Sequence, residues 1–182
     1  MKKEDYAKFL WDELRPKYDV VPWWVDTACN ALMTGEGWIK YIADPHTDNL
    51  YLIRHWLTPP HGVGSDGAPS AANCLVLHHF VEADPDRYLH NHPYSITAQV
   101  LEGYYVEERW DPVNKVSLLD TKRPNSVNLI QPDTYHRVER IMMSEESGGV
   151  WTLSHMGPKV QEWGFLVDGE HIHHEKYLCS LT

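Results

Sequence analysis

The segment from Tyr88 to Tyr94, which reads Tyr-Leu-His-Asn-His-Pro-Tyr, constrains this chain more than any other. It places two histidines, His90 and His92, one residue apart at the start of a segment that is typical of a strand. Side chains two residues apart on a strand point to the same side of a sheet. Both imidazoles can therefore bind one metal ion, provided that the fold brings a third ligand to them.

The best candidate for that third ligand is His136. It ends the segment 131–136, Gln-Pro-Asp-Thr-Tyr-His, in which a proline turn leads into another predicted strand. If His90 and His92 face inward, alternation also turns Ile96, Ala98 and Val100 inward, as expected of the apolar interior of a β-barrel. The sequence therefore predicts a metal site of three histidines inside a rolled antiparallel sheet.

These two segments resemble the two motifs of the cupin superfamily. His90, His92, Leu101 and Gly103 match the first motif, a His-x-His pair followed by a strand and a Leu-x-Gly turn, and 132–136 resembles the second. The resemblance covers residues 74–156, and the flanking segments are similar to those of small bacterial and phage-borne single-domain cupins. It implies a mostly β, single-domain cupin, an antiparallel barrel or jelly roll with short N-terminal helices.

The sequence departs from the cupin pattern at one chemically important place. The first motif normally has a glutamate four or five residues after its second histidine, where this chain has Ile96 and Thr97. The second motif is one residue shorter than usual and has Asp133-Thr134 where a glycine is common. The implied shell is thus three neutral imidazoles around a divalent metal, with Fe(II) as the first choice and Zn, Ni or Mn as alternatives.

Hydrophobic periodicity divides the chain into an N-terminal helical extension, 1–49, packed on a barrel formed by 50–182. Apolar residues at helical spacing predict a helix over 4–15 that ends at Pro16, and a second short helix is expected over 25–33. From Leu50 onward, short strands alternate with turns. Residues 59–70 are expected to form a loop, and 164–167 to pair with a final strand over 171–177.

Composition excludes several functions. The net charge of −10 repels phosphate backbones, so nucleic acid is not an expected partner. No apolar run approaches the roughly 20 residues that span a bilayer, and the N-terminus does not resemble a signal peptide. We therefore expect a cytoplasmic protein with a small-molecule substrate and no membrane contact, and by analogy with other cupins a homodimer is plausible.

Four further side chains are candidates for catalysis or substrate binding. His155 shares a strand face with Trp151 and Leu153, so it is a candidate fourth ligand, proton shuttle or core residue. Tyr105 lies two residues after Gly103, on the same side of the strand, and could donate a hydrogen bond to a metal-bound ligand. We list these two as catalytic candidates.

Arg54 and His78 are the substrate-binding candidates. Arg54 alternates with Leu52 and Trp56 and so points to the same side of the strand as they do. A buried guanidinium there would suit an anionic substrate. His78 alternates with Val76 and Phe80, so its ring is expected to face the cavity, whereas the next residue faces away.

Two other groups of histidines receive a different interpretation. His46-Thr-Asp48 has the spacing of an iron-binding pair, but the surrounding prolines and polar residues predict a turn. The histidines near the C-terminus, His171, His173 and His174, are interpreted as a solvated edge.

The three-histidine shell resembles that of thiol dioxygenases, which also lack the motif-one glutamate. It implies a non-haem iron oxygenase that acts on a small thiol or a similar bidentate ligand. The alternatives are a metal-holding cupin that binds a small molecule without oxygen chemistry, and a metal-assisted isomerase or lyase in which His155 is the base.

Overall fold

The structure is a computed structural model that describes residues 1–35, 37–62 and 70–179. In this part of the chain, twelve strands form two six-stranded sheets in which every pairing is antiparallel. Helices pack on the outside. Most of the loop predicted over 59–70 lies outside the described residues.

The first sheet has the strand order β1-β2-β3-β10-β5-β8 and the second has the order β12-β11-β4-β9-β6-β7. The bounds are β1 Ile39–Ala43, β2 Leu50–Trp56, β3 Leu75–Phe80, β4 Leu89–His90, β5 Ile96–Glu102, β6 Tyr104–Asp111, β7 Val116–Lys122, β8 Val127–Ile130, β9 His136–Met142, β10 Val150–Met156, β11 Gly164–Val167 and β12 Glu170–His173. Strands distant in sequence are neighbours in both sheets, as in a jelly roll. The predicted mostly β fold is confirmed.

Alternation along β5 is also as expected. Ile96, Ala98 and Val100 are buried, whereas Thr97 and Gln99 are exposed. The strand ends at Gly103, whose φ of +70° lies in the left-handed region that favours glycine. A Cβ there would lie 2.6 Å from the carbonyl oxygen of Gly149, so the Leu-x-Gly turn needs glycine for space as well as for its backbone.

The N-terminal helical segment covers the outer face of the first sheet. Helix α1, Lys3–Lys8, continues as a π-helical segment, Phe9–Leu14, and a short 3-10 turn, Arg15–Lys17. Tyr6, Leu10 and Leu14, spaced four residues apart, are fully buried and pack in one core with residues of β2, β3 and β10. The helical prediction for 4–15 is confirmed, and the helix is a structural layer of the protein.

A hydrogen-bonded group of three buried side chains also joins the helix to this sheet. The Tyr6 hydroxyl lies 3.3 Å from His55 Nε2 and 3.0 Å from His79 Nδ1. The His79 ring stacks on Trp151 at a centroid distance of 3.9 Å. Since a buried hydroxyl needs a partner, these contacts hold α1 in one register on the sheet.

Helix α2, Trp23–Thr34, follows the prediction for 25–33 and ends at Gly35, whose φ is +65°. No helix in the described ranges is both long and apolar enough to cross a membrane. The first strand, β1, was not predicted. It lies inside 1–49 and pairs with β2, so the first sheet begins before residue 50.

The C-terminal strand prediction over 171–177 is wrong in its second half. Strand β12 ends at His173, and helix α3, His174–Cys179, follows. Tyr177 of that helix packs on Phe165 with ring centroids 3.9 Å apart. The His174 ring is buried and stacks on Trp163 at 4.6 Å, so the expected solvated edge applies to His171 but not to His174.

We expect Leu10→Ala to lower the free energy of unfolding by about 2–5 kcal/mol, because it leaves a cavity between the helix and the sheet. Leu118→Ala is the matched control. Its side chain on β7 is 54% exposed, so its effect should stay within about 0.5 kcal/mol. Urea denaturation of both variants measures the difference. Equal midpoints would show that the helix does not contribute to the cooperative core.

Candidate metal centre

The first two metal-site histidines lie where the chain crosses from one sheet to the other. His90 is the last residue of β4 in the second sheet, and Ile96 begins β5 in the first sheet. His92 therefore lies in the connection and not on one continuous strand with His90, contrary to the simple strand geometry. The crossover still directs both rings to the same place, with centroids 5.0 Å apart.

The third histidine comes from the neighbouring strand. His136 opens β9 and is paired directly with His90 in the register of β4 and β9. Its ring centroid lies 5.3 Å from that of His90 and 5.0 Å from that of His92. One nitrogen from each ring lies within 4.8 Å of the others, so the structure brings together the three residues that the sequence singled out.

Burial keeps the rings of His90 and His92 neutral. It lowers the pKa of His90 to about 4, against the charge of Asp84, which raises that pKa, and together with the charge of His136, which lowers it further. Burial also holds the pKa of His92 well below its ordinary value, and the neighbouring His136 and His90 act in the same direction. At neutral pH both imidazoles therefore carry lone pairs that a metal ion can use.

Glu107 is the functional residue that sequence reasoning missed. Its carboxylate is buried in β6, and Oε1 lies 2.7 Å from Nδ1 of His136. A carboxylate at this distance favours the tautomer that has its proton on Nδ1 and its lone pair on Nε2, the nitrogen on the side of His92. The sequence does contain an indication of this role. Glu107 is two residues from Tyr105 and therefore points to the same, inner side of the strand, where a lone carboxylate is unusual.

The Glu107 carboxylate is stabilised as an anion. Burial alone would raise its pKa, but the hydrogen bond and charge of His136, a hydrogen bond from Asn128 and the charge of Arg109 bring it down to about 2. Arg109 Nη2 lies 2.9 Å from Oε2, and Lys122 Nζ lies 3.6 Å from the same oxygen. Glu107 thus has two cations of its own in addition to its contact with His136.

Glu107 contacts a ligand ring from behind and is not itself in the ligand cluster. Among the described residues, the three histidines form the one group of His, Cys, Asp or Glu side chains with metal-binding spacing. No carboxylate takes the position that the motif-one glutamate would occupy, since Ile96 is buried there in an apolar cluster. The predicted all-histidine shell is therefore what the structure shows.

The loops that carry the ligands are held by hydrogen bonds. The Gln161 side-chain amide donates to the carbonyl oxygens of both His92 and Pro132, so it joins the two motif segments. Asn91, buried between the two histidines, accepts a 2.8 Å hydrogen bond from the backbone N–H of Gly164. Both contacts are long-range, and no local sequence pattern predicts them.

The residues fit a divalent metal ion. His92 Nε2 and His136 Nε2 lie 2.8 Å apart. Two nitrogens bound at about 2.1 Å in neighbouring octahedral positions are about 3 Å apart, so little movement is needed.

The two substrate-binding candidates face the interior. Arg54, His78 and Thr152 pair directly across β2, β3 and β10 on the inner face of the first sheet, and we call them the polar row. Arg54 Nε donates a 2.9 Å hydrogen bond to His78 Nε2. Both side chains lie on the strand face that carries Trp56 and Val76, and the next ring, His79, lies on the outer face. Their role in substrate binding stays a prediction.

The two catalytic candidates are placed differently. His155 is exposed on β10, whereas Ser154 and Met156 on either side of it are buried, so its expected inward orientation is wrong. Trp151 lies on the same outer face, which is apolar because the N-terminal helices pack on it. Tyr105 does face inward, but its hydroxyl accepts a 3.0 Å hydrogen bond from Asn128, and its ring lies in a cluster with Val100.

The segment that contains His46 forms a turn, as predicted. The backbone N–H of His46 and the hydroxyl of Thr47 both donate to the carboxylate of Asp44, at 2.8 Å each. These bonds close the connection between β1 and β2. They account for the polar residues of the segment without a metal.

We expect Glu107→Gln to weaken metal binding about 10- to 100-fold, because the amide no longer holds the His136 proton on Nδ1 with a full charge. Isothermal titration of the metal-free protein with Co(II) measures the affinity. Glu108→Gln is the control, since Glu108 is the next residue on β6 and pairs with Arg137 instead. Unchanged Co(II) affinity in Glu107→Gln would mean that the contact does not orient His136.

Comparisons with known proteins give fold-level likeness alone. No protein-family model matches the sequence, and no curated protein matches it significantly. Among solved structures, the chain is similar to Fe(II) HppE, with 12% identity and a TM-score of 0.46 over 68% of this chain and 58% of that one. It thus spans little more than half of that protein. A cupin-2 domain protein of Rhodospirillum rubrum gives 9% identity and a TM-score of 0.47 over 79% and 80%.

A variant of Bacillus subtilis oxalate decarboxylase gives 13% identity and a TM-score of 0.43 over 69% of this chain and 28% of that one. All three TM-scores lie below 0.5. The fold assignment rests instead on the sheet order, the crossover between the sheets and the histidine geometry of this chain. On those grounds the chain is a jelly-roll arrangement of two antiparallel sheets, and three histidines that could hold a metal ion lie together where the chain crosses between the sheets.

Proposed function

We propose that this protein is a non-haem iron oxygenase that acts on a small thiol. The observation that carries the proposal is the composition of the metal position, three imidazoles and no carboxylate among the described residues. A divalent ion held by neutral ligands keeps its full charge and several open coordination positions. An anionic donor from the substrate, such as a thiolate, supplies the charge that the protein does not.

The chain's own residues prepare the site in three ways. Glu107 keeps the His136 proton on Nδ1, so the other ring nitrogen is free for the metal. Gln161 fixes the distance between the segments that carry His92 and His136. The buried cluster that includes Trp56, Ile96 and Met156 makes one end of the interior apolar, which limits the access of water.

Fe(II) in this position supplies the redox chemistry that lets dioxygen react with an organic substrate. The net reaction proposed is R–SH + O₂ → R–SO₂H, in which both oxygen atoms go to sulfur and no additional reductant is needed. The polar row lies on the opposite sheet and provides hydrogen-bonding groups for the rest of the substrate.

An isomerase or lyase reaction is not supported by the positions of the side chains. That alternative used His155 as its base, and His155 is exposed on the outer face of β10. We therefore do not retain it as a second candidate.

The test is metal analysis followed by oxygen uptake. Protein purified without added metal is analysed for iron, zinc, nickel and manganese, and the Fe(II)-loaded protein is then given oxygen with a panel of small thiols. We expect bound iron, oxygen consumption and a sulfinic acid product, detected by mass spectrometry. Oxygen consumed and sulfinate formed should be equal in amount.

His92→Ala is the control variant. It should lose iron and oxygen consumption while the circular dichroism spectrum and denaturation midpoint change little, since the apolar cores lie elsewhere. Tightly held zinc or nickel, or no thiol-dependent oxygen uptake by the iron-loaded protein, would contradict the proposed function.

A further inference from the structure

A cavity of about 480 Å³ lies beside the C-terminal helix α3. Its walls come from the β1–β2 turn of the first sheet, the segment 85–88 that precedes β4, strands β11 and β12 of the second sheet, and α3 itself. A volume of this size is typical of sites that hold a small organic molecule. Of the described residues that line it, none is a metal-site histidine or a member of the polar row. The function proposed above therefore leaves this cavity without a role.

One wall of the cavity is aromatic. The rings of Tyr88 and Tyr177 line it and meet edge to face, with centroids 6.0 Å apart. Phe165, which is buried, packs on Tyr177 at a centroid distance of 3.9 Å, so the wall is backed by the core of the second sheet. Such a surface suits the hydrocarbon part of a ligand.

Asp86 is a polar group of the cavity that lacks a partner. Its side chain is half-buried, and the described residues offer its carboxylate neither a hydrogen bond nor an ion pair. The Asp44 carboxylate, in contrast, accepts hydrogen bonds from His46 and Thr47. Burial, together with the charges of Asp84 and Asp44 and against that of His46, raises the pKa of Asp86 to about 6. An added cation would stabilise this carboxylate.

The cationic side chains of the cavity lie at its rim. Arg87 is exposed, and its guanidinium carbon lies over the Tyr88 ring, 5.3 Å from the centroid. Lys176 of α3 is exposed as well. Long cationic side chains at a surface keep their charged ends in water. Asp86 is less exposed than either cation, so the negative charge lies deeper in the cavity than the positive charges.

We propose that this cavity binds a small organic ammonium ion, with the ammonium group at the Asp86 carboxylate and the hydrocarbon part on the rings of Tyr88 and Tyr177. A carboxylate accepts strong, charge-assisted hydrogen bonds from an ammonium group. The faces of the phenol rings attract the same positive charge. A bare metal ion would leave the aromatic wall unused, and a neutral molecule would leave Asp86 unpaired. This second site does not depend on the proposed function or on a bound metal.

An NMR titration of the ¹⁵N-labelled full-length protein tests the inference. The probes are 2-phenylethylamine, which is a cation, 2-phenylethanol, which is neutral, and phenylacetate, which is an anion, and all three are of similar size. The backbone N–H signals of residues 86–88 and 176–177 report binding. We expect the amine to bind about 10- to 100-fold more tightly than the alcohol, and phenylacetate to bind no more tightly than the alcohol.

Asp86→Asn removes the charge and keeps the shape of the side chain. It should bring the dissociation constant of the amine to within threefold of that of the alcohol, whose own binding should change less than threefold. The backbone carbonyl of residue 86, which accepts a hydrogen bond from Arg137, is retained. Asp12→Asn is the matched control, because Asp12 is 60% exposed on the N-terminal helical segment and its loss changes the net charge equally. It should bind every probe as the native protein does.

Variants of the wall and the rim test the rest of the site. Tyr88→Leu should weaken both the amine and the alcohol, whereas Tyr88→Phe, which keeps the ring, should retain both. Lys176→Gln removes a repelling charge and should bind the amine at least as tightly as the native protein. A weaker amine complex in Lys176→Gln would contradict the arrangement proposed here.

A titration in the presence of Zn(II) separates this cavity from the metal centre. One equivalent of Zn(II) should change the dissociation constant of the amine less than threefold, since no metal-site histidine lines the cavity. A change of tenfold or more would place the amine at the metal and overturn the inference. Equal binding of amine and alcohol by the native protein, tighter binding of phenylacetate, or undiminished amine binding by Asp86→Asn would overturn it too.

Discussion

The contact between the Glu107 carboxylate and Nδ1 of His136 determines what the metal centre can do. A histidine ring offers a metal one nitrogen only if its proton is held on the other, and here a fully buried anion holds it. That anion could not exist in the interior without Arg109, Lys122 and Asn128 around it. Strands β6, β7 and β8 thus contribute to the site without providing a ligand.

The charges of the interior are separated between the two sheets. Glu107 and its cations belong mainly to the second sheet and stand behind a ligand ring, so they neutralise one another. The metal-binding histidines lie nearer the space between the sheets, and no carboxylate of the described residues belongs to their cluster. This separation explains how a site can orient its ligands with a carboxylate and still depend on its substrate for negative charge.

The sequence was sufficient for features that depend on local spacing. Histidines two residues apart, the Leu-x-Gly turn and the alternation along β5 predicted the fold and the three ligands. Strand geometry accounts for the alternation along β5, whereas His92 lies in the connection after β4 and meets His90 through the crossover between the sheets. The contacts of Glu107 with His136 and of Gln161 with His92 could not be found in this way, since these partners are 29 and 69 residues apart in the chain. His155 was placed on the wrong face because both faces of β10 are largely buried, one by the opposite sheet and one by the helices, so apolar neighbours did not identify the interior.

Two consecutive histidines of strand β3 make contacts on opposite faces of the first sheet. His78 accepts a hydrogen bond from Arg54 on the inner face, and His79 bonds to Tyr6 and stacks on Trp151 on the outer face. A shift of a single residue in this strand would exchange the two rings and break both sets of contacts at once. Insertions and deletions within β3 are therefore excluded for any homologue that keeps both contacts, and its sequence can diverge there through substitution alone.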